Sequence, residues 1–215
     1  MDELTPEQIL TSEKNALDWN LNQLGSTGDH SFIYTNANYA VLAGIIRKVT
    51  KKPFAAALDQ TILAPLKLTH TRNFDALSAK MPVAQGYLSD NDQSYQPDDL
   101  SQALLSSLLG SGSVYMSVTD LAKVIIAAET GKIIPKKVYR QLIAAHYADG
   151  NQYASGVAWL DDQRLLQGMY NDNPESFSTL AYFRANATSG VVLFGNHTMT
   201  TDTVTLAQNL EALVE

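Results

Sequence analysis

The sequence holds no cysteine. Disulfides, thiolate metal sites and thiol nucleophiles are therefore excluded, while the compartment stays open, since a cysteine-free chain suits the cytoplasm and a bacterial surface alike. Positive charge is scarce. The 15 lysines and arginines stand against 22 aspartates and glutamates, for a net charge of −7. That argues against nucleic acid as the main partner, because binding a phosphate backbone needs a basic face. Long apolar runs are missing as well. None approaches the roughly 18–20 residues that a membrane-crossing helix requires, so no span is expected. The start, Met1-Asp2-Glu3, is acidic and has no secretory-signal pattern. The expectation is that the protein is not exported or that this chain does not begin at the natural N-terminus. The histidines, His30, His70, His146 and His197, lie far apart and match no ligand spacing. Neither a metal nor an organic cofactor is expected.

What is present is ordinary for a globular protein: 215 residues, 45% apolar and 17% charged. Helical periodicity is expected over Glu13–Leu24 and, more strongly, Asn38–Val49, where Tyr39, Leu42, Ile45, Ile46 and Val49 should form the buried stripe. Further helices are expected over Phe54–Leu63, stopped near Pro65, over Ser101–Leu109, from the Ser117 cap through Ala128, and over Pro135–Tyr147. The polar stretch 72–100 reads as loop with one short strand at Val83–Tyr87. After Asn151 the pattern changes. Tyr153–Leu160, Arg164–Tyr170, Ser176–Arg184 and Gly190–Phe194 read as strands, and Thr203–Val214 as a closing helix. The expected class is α+β: an antiparallel sheet with the C-terminal helix packed on it, plus a helical subdomain.

Five segments in order then carry a resemblance. Phe32-Ile33-Tyr34-Thr35-Asn36-Ala37-Asn38-Tyr39 looks like a Y-x-N loop entering a helix. Ala43-Gly44-Ile45-Ile46-Arg47-Lys48-Val49-Thr50 and Ile62-Leu63-Ala64-Pro65-Leu66-Lys67-Leu68-Thr69-His70-Thr71 continue it. Gly110 to Leu121 resembles a G-A-G-G-L-Y-S-T-A-R-D-L run. Ser176-Phe177-Ser178-Thr179 with Gly190 to Asn196 resembles a G-F-S-S and G-V-V-V-L-T-N strand pair. Together they resemble the penicillin-binding-protein-like serine hydrolases of the serine β-lactamase family. The resemblance implies one partial domain over 1–215: a mainly helical region at 1–150 with the Y-x-N loop, then antiparallel strands and a closing helix at 151–215.

It also implies roles. Tyr34 would be the general acid/base and Asn36 the positioning group, beside a serine activated by a lysine one helical turn away. Substrate binding would fall to Ser113 and to Tyr170, Asn171 and Asp172. The last three stand where the family has K-T-G or H-x-G, and neither a lysine nor a histidine lies between Leu165 and Ser176. Leu4-Thr5-Pro6-Glu7-Gln8-Ile9-Leu10-Thr11 resembles a segment that follows the family's S-x-x-K helix, so that helix and the early strands are expected to lie outside this chain. Thr11 and Lys14 have the S-x-x-K spacing but align with a different segment. The implied activity is hydrolysis of an amide or ester of the cell-wall-peptide or β-lactam type. The chain alone would be inactive, and the alternative is a non-catalytic module that binds or senses a muropeptide-like ligand. The implied partner is a small-molecule or peptidoglycan-like ligand outside the cytoplasmic membrane. Without early strands, Gly190–Phe194 becomes a sheet edge that a second copy, another partner or a terminal segment should cover.

Overall fold

Helix α1 (Asn36–Thr50) starts where Thr35 adopts an extended backbone and its hydroxyl accepts a hydrogen bond from Ala37 N–H at 3.3 Å. It stops at Lys51, whose left-handed φ of 58° turns its N–H back to the Arg47 carbonyl. The computed structural model describes residues 11, 13–15, 17–18, 21–22, 32–78, 80–90, 94–98, 100–144, 153–160, 162–170, 176–197 and 202–213. The chain divides into two compact units, one of Met1–Val83 with Leu100–Ser117, the other of Ala84–Asp99 with Val118–Glu215.

In the first unit, α1 buries its small residues rather than its large ones. Ala40 and Ala43 are 1% exposed, whereas Leu42, Ile45, Ile46 and Val49 are 53%, 50%, 39% and 75% exposed. The stripe read as buried is therefore on the outside. The reason is close approach. A Cβ on Gly44 would stand 2.7 Å from Leu17 Cδ2, and one on Gly110 would stand 2.6 Å from the Tyr39 carbonyl oxygen, so only a small-residue face fits there. Ala43, Phe54 and Leu109 form the core, with Leu17 and Leu58 packed against it. The described residues between 11 and 22 are helical, and among them buried Glu13 places Oε2 2.9 Å from Arg47 Nε on α1.

Helix α2 (Phe54–Leu58) does not end before Pro65. It widens into a π turn over Asp59–Leu63 and tightens again as α3 (Ala64–Leu66), closed by Lys67 in the left-handed region. The wider turn accommodates a proline, which has no N–H to give to an i−4 carbonyl. Strand β1 (Thr71–Asn73) follows.

Residues 72–100, expected as loop with one short strand at Val83–Tyr87, hold a hairpin of β2 (Gly86–Asp90), which overlaps that strand, and β3 (Ser94–Asp98) in the second unit. The side chains of β3 described at 94–97 are exposed, so the strand lacks the one-sided apolar alternation that reveals a strand in sequence. Pro97 is tolerated because the sheet has only two strands. Helix α4 (Gln102–Ser107), capped by Ser101 Oγ, leads to β4 (Val114–Met116), which pairs antiparallel with β1 in the first unit.

The second unit is a sheet with a helix on each face. Helix α5 (Val118–Glu129) and helix α6 (Lys136–Ile143) precede five antiparallel strands. These are β5 (Tyr153–Ala154), β6 (Val157–Leu160), β7 (Gln163–Tyr170), β8 (Phe177–Arg184) and β9 (Gly190–Gly195), adjacent in that order. The segment read as one strand at Tyr153–Leu160 is itself a hairpin, because Ser155 and Gly156 take φ of 52° and 88° and reverse the chain. Helix α7 (Thr203–Glu211), capped by the Asp202 carboxylate, lies on one face. There Ala207 meets Leu180 and Tyr182. On the other face Ile125 of α5 meets Ala181 and Phe183. Successive residues of β8 are thus buried on opposite faces, which is why the strand reads as a nearly continuous apolar run. Glu211 ties α7 to the sheet by accepting from Ser189 Oγ at 2.6 Å and Arg184 Nε at 3.3 Å.

Candidate active site

In the first unit, the Tyr34-Thr35-Asn36 triplet is held by the helix start. Thr35 caps α1, Asn36 is its first residue and is exposed, and Tyr34 lies just before the cap, 56% exposed. Asn38 Nδ2 reaches the Ile33 carbonyl at 3.5 Å, and the Tyr34 and Tyr39 rings stand 6.5 Å apart at 54°. Partial burial first, and the neighbouring Tyr39 second, raise the Tyr34 pKa above that of an ordinary phenol. Both favour the neutral phenol, a proton donor. Use as a base would need a cation beside it.

Ser113 is deeply placed. It is 1% exposed, its carbonyl accepts from Phe74 N–H at 2.9 Å, and its hydroxyl has no partner among the described residues. Asn73 Oδ1, one step along the β1–β4 pairing, is also buried without a partner. The Ser113 hydroxyl is therefore turned into the unit rather than toward solvent. Thr11 is exposed, and Lys14 Nζ pairs with Asp18 at 2.5 Å, so this pair stays an ordinary helix surface.

In the second unit, Tyr170 ends β7 opposite Phe177 of β8. Asn171 and Asp172 lie outside the described residues, as do the Leu4–Leu10 stretch, His30 and His146. Arg164, the nearest upstream cation, sits six residues back along β7, about 20 Å of strand away. It is 6% exposed and stacks 3.6 Å above the Trp159 ring. It cannot stand in for a lysine at the Tyr170 end. The helix face adds nothing there either: Glu129, whose pKa burial raises, accepts from Tyr139 Oη at 3.0 Å.

The β2–β3 hairpin, invisible in the sequence, reaches the Tyr170 end of this sheet. A Cβ on Gly86 would stand 2.5 Å from the Phe177 ring. Tyr87 N–H donates to the Asn196 carbonyl at 2.8 Å, and Asn196 Nδ2 donates to the Gln85 carbonyl at 2.9 Å. Tyr95 meets the His197 ring edge-on at 5.2 Å. Tyr87, Tyr95 and His197 are thus gathered near Phe177 with Ser176 and Ser178, whose hydroxyls are buried and unpartnered among the described residues. The sequence signals for this end were the family-like Ser176-Phe177-Ser178 and Gly190–Asn196 patterns and the Tyr170-Asn171-Asp172 position; none pointed to Tyr87, Tyr95 or His197. Among the described residues no group of three or more metal-ligating acids and histidines assembles, and no helix is long and apolar enough to cross a membrane.

The sequence profile of the Beta-lactamase family matches residues 20–214. A Bacillus subtilis (strain 168) protein named for penicillin binding, PbpX, is 28% identical over 167 residues, covering 76% of this chain and 39% of that protein. The teichoic acid D-alanine hydrolase of Staphylococcus aureus is 33% identical over 114 residues, covering 52% of this chain and 27% of the other. The octameric penicillin-binding protein homologue of Pyrococcus abyssi superposes with a TM-score of 0.75 at 19% identity, over 99% of this chain and 49% of its own. The matches thus span well under half the length of both curated relatives. The helix-backed antiparallel sheet, the Tyr34-Thr35-Asn36 helix start and the profile match agree, and this chain belongs to the Beta-lactamase family.

Proposed function

We propose that this chain contributes one part of an acyl-transfer site that hydrolyses an ester or amide of D-alanine on a bacterial cell-wall polymer, outside the cytoplasmic membrane. The observation that carries the reading is the solvent-facing Tyr34-Thr35-Asn36 start of α1 in a member of this family. No serine in the sequence is followed three residues later by a lysine. The nucleophile and its lysine base would come from polypeptide outside these 215 residues. The bare apolar stripe of Leu42, Ile45, Ile46 and Val49 supports this, since it offers a face for such a segment.

In this mechanism a serine Oγ attacks the acyl carbon and gives its proton to the lysine amine. Neutral Tyr34 donates its phenolic proton to the departing oxygen or nitrogen, and Asn36 orients the lysine and the substrate. Water then attacks the acyl-serine and gives a proton to the Tyr34 phenolate, while the lysine ammonium returns its proton to the departing serine Oγ. By resemblance, Tyr170, Asn171 and Asp172 stand at sequence positions that bind substrate in the family. Ser113 contributes through the backbone of the Gly110–Ser113 loop. The D-alanyl substrate class is supported by the relative named teichoic acid D-alanine hydrolase.

A second reading, a non-catalytic module that binds a muropeptide-like ligand, is favoured by Tyr170 standing where a fixed positive charge is expected. Labelled penicillin and a chromogenic D-alanyl ester separate the two. The 215-residue chain alone should give neither adduct nor turnover. A longer polypeptide that includes an S-x-x-K segment should turn over, with kcat reduced about 10²–10⁴-fold by Tyr34→Phe. An adduct on the short chain would sink the first reading. Ligand binding without turnover in the longer one would establish the second.

A further inference from the structure

A second run of positive charge, besides Arg47, Lys48, Lys51 and Lys52 at the end of α1, lies far from the Tyr34 loop in sequence. Between Thr130 and Ala144 the chain carries Lys132, Lys136, Lys137 and Arg140 and no carboxylate, in a protein whose net charge is −7. All four are exposed. The helix that carries three of them, α6, is anchored by Tyr139, whose hydroxyl donates to Glu129, and by buried Ile143, whose carbonyl accepts from Trp159 Nε1 at 2.7 Å. The nearest carboxylate on the packed helix α5, Glu129, accepts from Tyr139 and also interacts electrostatically with Arg140 and Lys136, so it offsets part of the positive charge of the row. Arg164, the other charged group on that side, is buried against Trp159 and adds positive charge.

Two features separate this patch from an ordinary solvated face. The first turn of α6 holds Lys136 and Lys137 and no acid. Cations there oppose the helix dipole, so their placement works against local stability. Local choices that conflict with the fold are expected at functional positions. The second feature is alignment. At about 100° per residue, Lys136, Arg140 and Lys137 fall within an arc of about 100° on one flank of α6. Lys132 extends the row across the Gly131 turn, against which the Lys136 stem packs: a Cβ on Gly131 would stand 2.9 Å from Lys136 Cγ.

We propose that this flank of α6 binds a linear polymer of polyol phosphate, holding its phosphodiesters on the Lys132, Lys136, Lys137 and Arg140 row as an exosite. The proposal deepens the reading of the chain as part of a D-alanyl hydrolase and rests on it for the choice of polymer. Charge complementarity points to a polyanion. The exposed apolar residues of the helix, Val138 and Leu142, 42% and 50% exposed, lie on the flank opposite the cations. A flat lipid surface cannot engage both flanks together, whereas a narrow phosphate chain needs only the basic one.

The test uses the 215-residue protein with delipidated poly(glycerol phosphate), measured by isothermal titration at several salt concentrations. Wild type should bind with an affinity that falls steeply with salt. Replacing Lys136, Lys137 and Arg140 together by glutamine should weaken binding at least about tenfold and reduce the log–log salt slope by about 2, from about 0.7 per phosphate contact. Thermal unfolding should be unchanged or slightly raised, since the dipole conflict is relieved. No binding by wild type at low salt, equal binding by the triple variant, or preferential binding to phosphatidylglycerol vesicles would each overturn the proposal. Failure of the hydrolase reading shows separately, as absence of ester turnover by the longer polypeptide that includes an S-x-x-K segment, with polymer binding by the 215-residue chain intact.

Discussion

Gly110 offers the most direct trial of how the first unit is held together. Its φ is +78°, and a Cβ there would stand 2.6 Å from the Tyr39 carbonyl oxygen and 3.0 Å from Ala43 Cβ. Neither neighbour can swing away: one is helix backbone, the other a methyl fixed to it. Gly110→Ala therefore carries two costs. The left-handed conformation costs an alanine about 1–2 kcal/mol. Relieving the clash requires α1 to withdraw from the turn, opening the junction of Ala43, Phe54 and Leu109, where Leu109 is 0% exposed. Partial loss of that packing adds about 1–3 kcal/mol, by comparison with large-to-small core changes. A stiffer unfolded chain returns about 0.4–1 kcal/mol. The net destabilisation is about 1–4 kcal/mol, a fall in Tm of about 2–16 °C at about 2–4 °C per kcal/mol. The control is Gly168→Ala in β7, the same chemical change where no atom lies within 4 Å of the added methyl. It should leave Tm unchanged or raise it slightly. Circular dichroism melts of both variants decide the matter. If Gly110→Ala melts with wild type, the close approach of the turn to α1 is wrong.

Other consequences are equally open to measurement. Glu13 is 1% exposed, and its pKa is raised above 4.5, by burial first and by Asp75 also, against the lowering effect of Arg47. The folded carboxyl holds its proton more tightly than the unfolded one, so stability falls as pH rises from about 4.5 through the raised value. Glu13→Gln should accordingly gain stability over wild type at pH 7 and show little gain near pH 4. Urea midpoints that differ equally at both pH values would contradict this. Among the described residues β9 pairs only with β8, and its sequence, Gly190-Val191-Val192-Leu193-Phe194-Gly195, carries no charge to discourage edge pairing. The short chain should self-associate in sedimentation velocity runs, and Phe194→Lys, at a position 38% exposed, should shift it toward monomer. A wild type that stays monomeric at high concentration would dismiss the edge as an interface.

Local chemistry was enough to recognise part of this protein. The helical periodicity behind α1 and α7 and the apolar runs of β7 to β9 announce their elements because side-chain spacing acts within a few residues. The Tyr34-Thr35-Asn36 triplet was legible for the same reason. Which face of α1 is buried was not, since Leu42, Ile45 and Ile46 look like a core stripe until Gly110 and Leu17 claim the alanine side. Nor was the β2–β3 hairpin. Its strands are held by each other and by Asn196, more than 100 residues away, and this brings Tyr87, Tyr95 and His197 to the Tyr170 end of the sheet. Arg164, the cation upstream of Tyr170 on β7, is taken up by Trp159, a contact that no local pattern announces. Sequence thus determined the elements whose stabilising interactions are local. Tertiary structure decided which surfaces face solvent and which distant side chains meet, because those depend on packing partners that no short window contains.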